Sequence, residues 1–459
     1  MKKGIVHLLA ANMLYLLISI LNSFLLPKYL SVDAYAVIKT YTLYIGYAGF
    51  LSLGYADGMY LRYGGGEIER IDKADLGSNF KSYIVLEVFV SVICLGIAAI
   101  VKDFVLMAFA LGSLCVNIIG YYKNLYQAVG EYKLYGKTLN YQTILMFVLN
   151  IVLMFALKSD NSSYYIVVQV LTAFLVMIYL TAILNKRTLL LHSGKPSLKQ
   201  IWNHISSGFV LMLGNFSSSI FTSLDRWFVK FLMDSICFAQ YSFAVSLENI
   251  VNVFVTPITI SLYNVFCSNR ASEYVQKIKK MVLLCGCAII AVAFPVKFVV
   301  THFLPEYIDA LAIIFPLFGA QTFYAVIKGI HVNVYKAEKK QKRYFVITFA
   351  MIAVAVVTNI IFYLLFNSVW SFALATYTTA LIWFIYCEIE TKAMRFKIKE
   401  YMTIICVMVG YFFAASLKNA IIGLGVYCLV LLASSTLFMR ETIKEICGIV
   451  LSYFKKRRV

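Results

Sequence analysis

The chain has 459 residues, 61% of them hydrophobic and only 14% charged. A soluble domain carries about 45–50% apolar and about 25% charged residues, so an ordinary soluble fold is excluded. The net charge of +19 does not indicate nucleic-acid binding either, because 32 of the 41 Lys and Arg fall in every second gap between long apolar runs. That alternation is the signature of a membrane protein whose inside loops retain their basic residues, and the excess faces anionic inner-leaflet lipid.

Crossing a bilayer takes about 20 apolar residues. Fourteen runs qualify: 5–26, 34–56, 82–101, 104–122, 138–157, 163–184, 205–224, 236–263, 281–301, 310–330, 344–366, 369–387, 401–417 and 419–439. Spanning β-barrels alternate apolar and polar residues over short segments, and these runs do not. The first run lacks a following small-residue cleavage site and reads as span one, not as a signal peptide. The charge pattern puts both termini inside. The outside gaps then hold only Lys28, Lys102, Lys158, Arg226, Lys230 and Lys418, while Lys39, Lys297 and Lys328 lie within runs.

The outside loops, at Lys158 to Ser163, Asn367 to Ser368 and Lys418, leave no room for a folded external domain. The largest inside loop runs from Asp57 to Lys81. Pro196 and Ser197 open a short amphipathic helix with Leu198, Ile201, Trp202 and Ile205 on one face. The tail repeats the pattern with Ile443, Ile446, Cys447, Val450 and Phe454, then ends in Lys455, Lys456, Arg457 and Arg458. Both suit helices lying on the inner surface.

An internal repeat organises the runs. Asn124, Tyr126 and Ala128 recur as Asn333, Tyr335 and Ala337, 209 residues later. Asn150 and Asn359 follow each copy by the same 22 residues. The polar stripe Asn12, Tyr15, Ser19 and Asn22 of span one likewise matches Asn215, Ser218, Thr222 and Asp225 of span seven. Six spans separate the copies, so the halves have the same orientation, as in transporters built from parallel repeats. The expected organisation is an N-terminal six-helix lobe at 1–185, an interfacial linker at 186–204, a second lobe at 205–390, and helices 13 and 14 with a basic tail at 391–459.

Charges inside the membrane are costly and mark function by default. Glu248 lies near the middle of span eight, with Asn252 and Thr256 on its face and Pro257 positioned to kink the helix. It is a candidate for coupling to H⁺ or Na⁺, with Asn252 and Glu87 as companions. Asn12 and Asn215 are candidates for a shared cavity, against the plainer reading of hydrogen bonds between packed helices. Lys39 and Lys328 either line that cavity or snorkel to an interface. No Walker-type phosphate loop, G-x-S-x-G or H-E-x-x-H motif is present. The ten cysteines have no zinc spacing. No catalytic residue, metal or cofactor is expected.

Several segments resemble polysaccharide flippases of the Wzx type, in the multidrug, oligosaccharidyl-lipid and polysaccharide exporter superfamily. They are Leu26-Pro27-Lys28-Tyr29-Leu30 followed by Asp33, Tyr35 and Ala36; Gly54 through Arg62-Tyr63; Asp225-Arg226 followed by Tyr241 and Ala244; and Tyr335-Lys336-Ala337 with Lys340. The resemblance implies an all-α polytopic protein of 14 transmembrane helices. Two pseudo-symmetric six-helix lobes, as in MATE transporters, would surround a central cavity beside two extra helices. It implies a non-enzymatic flippase of the bacterial cytoplasmic membrane. The substrate would be an undecaprenyl-pyrophosphate-linked oligosaccharide bound for capsule or O-antigen. Polysaccharide polymerase and chain-length proteins would act alongside a monomer driven by an ion gradient. By position, Arg62 and Arg226 match family segments and would line a cationic lumen. Span one lacks the arginines of related lipid II flippases, which disfavours lipid II itself. The alternative on the same fold is an antiporter of drugs or organic cations, with an acidic and aromatic cavity.

Overall fold

The computed structural model describes residues 2–188, 190–268, 271–338 and 340–456. Side chains at 1–13, at 15–16 and at scattered positions up to the tail lie outside the described residues, and among them are the candidate Asn12 and also Thr256 and Pro257. Among the described residues the chain is helical throughout and divides into two compact units, 1–220 and 221–459. The division falls inside a helix.

The first unit contains α1 (Lys2–Tyr29), α2 (Val32–Ile45), α3 (Tyr55–Tyr63), α4 (Lys73–Val101), α5 (Phe104–Ala128), α6 (Tyr132–Ile151), α7 (Ser162–Thr188) and the first part of α8 (Leu198–Leu232). Its core forms where α5 packs against α4, α7, α2 and α3. Aromatic side chains fill it: Tyr55, Phe80, Tyr83, Tyr121 and Tyr122 are all buried. The opposite face of α4 exposes Phe89, Val92, Ile97 and Ile100, an apolar surface suited to lipid.

The second unit holds the rest of α8, then α9 (Ser235–Ser268), α10 (Ser272–Ile289), α11 (Ala293–Phe303), α12 (Leu311–Val326), α13 (Val332–Ala337), α14 (Gln341–Phe366), α15 (Trp370–Glu390), α16 (Ile398–Ser416), α17 (Ala420–Phe438) and α18 (Arg440–Lys456). Here α12 is the central helix, packed against α15, α9 and α10. Lys297 of α11 donates to the Ala415 carbonyl at 2.8 Å and the Leu417 carbonyl at 2.6 Å. It thus caps the C-terminus of α16, where carbonyls lack helical partners.

Among the described residues, eleven helical segments are long and apolar enough to cross a membrane. Of the other three expected spans, 5–26 and 236–263 coincide with α1 and α9 and run over residues whose side chains are not described. The run 34–56 is the exception, because it is not one helix. α2 stops at Ile45, a 3₁₀ turn covers Ala48–Ser52, and Leu53 and Gly54 are left-handed with φ of 51° and 85° before α3 starts. Gly58 of α3 then meets Gly208 of α8 backbone to backbone. A Cβ on Gly208 would lie 2.1 Å from the Gly54 carbonyl oxygen, and one on Gly58 would lie 2.1 Å from that of His204.

The expected short helix at 197–205 is also revised, since it forms the opening turns of the 35-residue α8. Leu198 and Trp202 of its apolar face are exposed, whereas Ile201 and Ile205 pack on the unit's core.

The repeat is visible in the backbone. α5 ends at Ala128 and α13 at Ala337, and the turns that follow use equivalent hydrogen bonds. Glu131 N–H donates to the Tyr126 carbonyl at 2.7 Å, and Lys340 N–H to that of Tyr335 at 2.9 Å. Lys158 and Asn367, again 209 apart, are both left-handed, with φ of 46° and 42°.

Candidate functional site

The second unit gathers polar groups around Glu248. α9 carries the carboxylate into the packing surface against α12, where it accepts a hydrogen bond from Gln321 Nε2. Seven residues beyond Gln321, Lys328 sits in a π-helical turn at Ile327–His331. Such a turn re-aims a side chain within a helix and is frequent at functional positions. Lys328 Nζ lies 5.2 Å from the centre of the Tyr324 ring. Glu248 senses Lys328 and Arg226 as positive neighbours and Asp225 as a negative one, although among the described residues no ion pair joins them.

Asp225 and Arg226 diverge, as adjacent helical residues must. Asp225 is buried and accepts from Tyr241 O–H at 2.6 Å and from the Arg226 N–H at 2.8 Å. Arg226 Nε is buried with no hydrogen-bond partner among the described residues. A buried guanidinium N–H without an acceptor is rare and suits a site that an anion completes. Phe221, Tyr324 and Trp383 form an aromatic wall, with Phe221 5.9 Å from Tyr324 and 5.0 Å from Trp383. The same unit therefore offers cations, a carboxylate and aromatic faces. Asn252 lies one turn beyond Glu248 and makes a 3.5 Å contact with Asn249.

The first unit holds a separate, partly open polar cavity of about 260 Å³ lined by Asp57, Asn117, Asn124 and Asn215, with Ser52 and Tyr83. Asn215 donates to Asp57 at 3.2 Å. Glu87 stands behind the wall, buried, and accepts from Asn117 Nδ2 at 2.8 Å. Asn117 also donates to the Ala48 carbonyl in the broken α2–α3 segment at 2.9 Å. The break at Gly54 thus helps to shape this cavity.

Two sequence candidates lie elsewhere. Arg62 forms an ion pair with Asp75 at 2.7 Å on the unit's surface and does not line the cavity. Lys39 on α2 is half-buried, 5.1 Å from the centre of the Tyr35 ring. Gln321, Tyr324, Trp383 and Asn117 belong to these sites without having been singled out by sequence. Each is an uncharged residue inside an apolar run, and only Gln321 and Asn117 carry even an amide to betray them.

No family model matches the chain, and no curated protein does either. Among solved structures, the chain is similar to a lipid II flippase, MurJ, in its inward closed conformation. That likeness has a TM-score of 0.66 at 14% identity and covers 96% of this chain and 100% of that one. The chain is also similar to an outward-facing multidrug resistance transporter of the MATE family, with a TM-score of 0.48 at 13% identity, covering 86% of this chain and 97% of that one. Only the first of these two likenesses is close enough to define a fold. The chain has the fold of the lipid II flippase.

Proposed function

We propose that this protein is a flippase that carries undecaprenyl-pyrophosphate-linked oligosaccharide from the inner to the outer leaflet of the bacterial cytoplasmic membrane, for capsule, O-antigen or exopolysaccharide assembly. The observation that supports the reading is the half-buried Arg226, whose buried Nε has no acceptor among the described residues, set near Lys328 and Glu248 in a chain with a lipid-flippase fold. A pyrophosphate carries several negative charges and takes charge-assisted hydrogen bonds from Arg and Lys. Glu248, beside those cations, takes up and releases a cation of the driving gradient as the protein alternates its access. Both termini are cytoplasmic, and polysaccharide polymerase and chain-length proteins work downstream.

A second reading has its own support. Glu248 near Tyr324, whose ring belongs to the aromatic wall with Phe221 and Trp383, also suits an organic cation, as in a drug antiporter.

Deleting the gene in its host and fractionating lipid-linked oligosaccharides by leaflet tests the proposal. Complete repeat units trapped on the inner leaflet, with surface polymer lost, support it. Normal surface polymer with altered sensitivity to cationic drugs would move the assignment to the antiporter.

A further inference from the structure

The helices beyond the repeat hold a second site. A cavity of about 1050 Å³ opens where the middle of α10, the turn before α16 and the junction of α17 and α18 meet. Five cations line it, Lys280, Arg395, Lys397, Lys399 and Arg440, against the two carboxylates Glu400 and Glu441. Glu400 is already engaged, by Lys280 at 2.7 Å and by the Lys397 N–H at 2.8 Å. Among the described residues Arg395, Lys397, Lys399 and Arg440 form no ion pair, and all four are exposed. α18 is fastened beside the cavity by the Lys277–Glu445 ion pair at 2.7 Å.

The walls change character sharply away from this basic end. Ile398, Ile405, Val409 and Phe413 on α16, and Leu429, Leu432 and Leu437 on α17, are all exposed. An apolar helical face running into a cluster of unpaired cations matches a molecule with hydrocarbon chains at one end and an anionic phosphate at the other. A soluble anion would use the cations and leave the apolar faces idle.

We propose that this cavity binds the phosphate headgroup of an anionic phospholipid, whose acyl chains lie along the exposed faces of α16 and α17. The site is distinct from the Glu248 cluster and does not depend on what the chain transports. The lipid holds α18 at the membrane surface, beside the basic ends of the two added spans α16 and α17.

Native mass spectrometry of the purified full-length chain tests this, with phosphatidylglycerol, phosphatidylcholine or inorganic phosphate as probe. The expected result is retention of phosphatidylglycerol over phosphatidylcholine. The triple variant Arg395→Gln/Lys399→Gln/Arg440→Gln should weaken that retention at least about tenfold, given the contribution of each basic residue near an anionic surface. The control Lys186→Gln/Lys195→Gln/Lys199→Gln removes the same charge from exposed positions elsewhere and should leave retention unchanged. Should the triple variant not fold, the single variants Lys399→Gln and Arg440→Gln should each weaken retention about fivefold. Equal loss in the control would reduce the effect to net charge and overturn the site. Displacement of phosphatidylglycerol by inorganic phosphate alone would assign the cavity to a soluble anion and overturn the lipid.

Discussion

Glu388→Ala should strongly destabilise the second unit. Glu388 of α15 is 2% exposed and pairs with Lys279 of α10, which is 0% exposed. It also accepts from the Phe396 N–H at 2.9 Å and from Tyr401 O–H at 2.8 Å. Lys279 Nζ keeps only the Met394 carbonyl, at 3.0 Å, and the Phe396 ring, 4.3 Å to its centre. Removing one partner of a buried pair costs about 3–5 kcal/mol, because the other charge stays buried. Two further donors losing their acceptor add about 1 kcal/mol each, which places the loss at the upper end of that range. For a unit of this size, about 4–5 kcal/mol corresponds to a fall in Tm of roughly 8–20 °C. Thermal unfolding of the purified chain in detergent, followed by intrinsic fluorescence, reads it. Lys279→Met/Glu388→Leu removes both charges and should recover most of the loss, since well-packed apolar replacements of buried pairs are often neutral. A Glu388→Ala protein within about 1 kcal/mol of wild type, or a double variant less stable than the single, would refute the reasoning.

Gly208→Val would drive a side chain into the backbone of Gly54 and Gly58, so we expect a loss of about 1–3 kcal/mol or more, read as lower Tm and lower yield; wild-type stability would contradict the close packing of α3 on α8. Lys297→Met keeps the apolar stem but uncaps α16, and should cost about 1 kcal/mol, with faster amide exchange at the end of α16 than at its start. Glu248→Gln should reduce export with little loss of protein in membranes, and full export at normal protein levels would remove Glu248 from the mechanism.

Much of this architecture was legible in the sequence because long apolar runs and periodic basic gaps are strong signals. The 209-residue repeat was legible from Asn124, Tyr126 and Ala128 with Asn333, Tyr335 and Ala337, and from Asn150 and Asn359 after them, and the backbone repeats it in the turns after Ala128 and Ala337. The run 34–56 misled because hydropathy counts apolar residues and does not see backbone conformation. Gly46, Gly49 and Gly54, spaced through that run, were the available sign of a break. The continuity of α8 was hidden by Pro196 and the polar residues after it, which read as a separate interfacial helix. At the site, Glu248 stood out because charge within an apolar run is rare, and Asp225 because it continues the polar stripe of span seven. Their surroundings did not. Asn215 and Asp57 are 158 residues apart, and Glu248 and Gln321 are 73 apart, so those pairings are made by the fold. The surface pairing of Arg62 with Asp75 could not be told from a luminal role by sequence, because both readings place an arginine just beyond a span.

Transport by the purified chain in proteoliposomes tests the central claim most directly. Fluorescent undecaprenyl-pyrophosphate-linked oligosaccharide from the host would be placed in both leaflets, with a membrane-impermeant quencher added outside. The account predicts that protein-containing vesicles make the inner-leaflet pool accessible, that an imposed ion gradient accelerates this, and that Arg226→Gln and Glu248→Gln abolish the acceleration. Equal accessibility in protein-free vesicles, or export of a fluorescent organic cation with the lipid-linked sugar left unmoved, would contradict it.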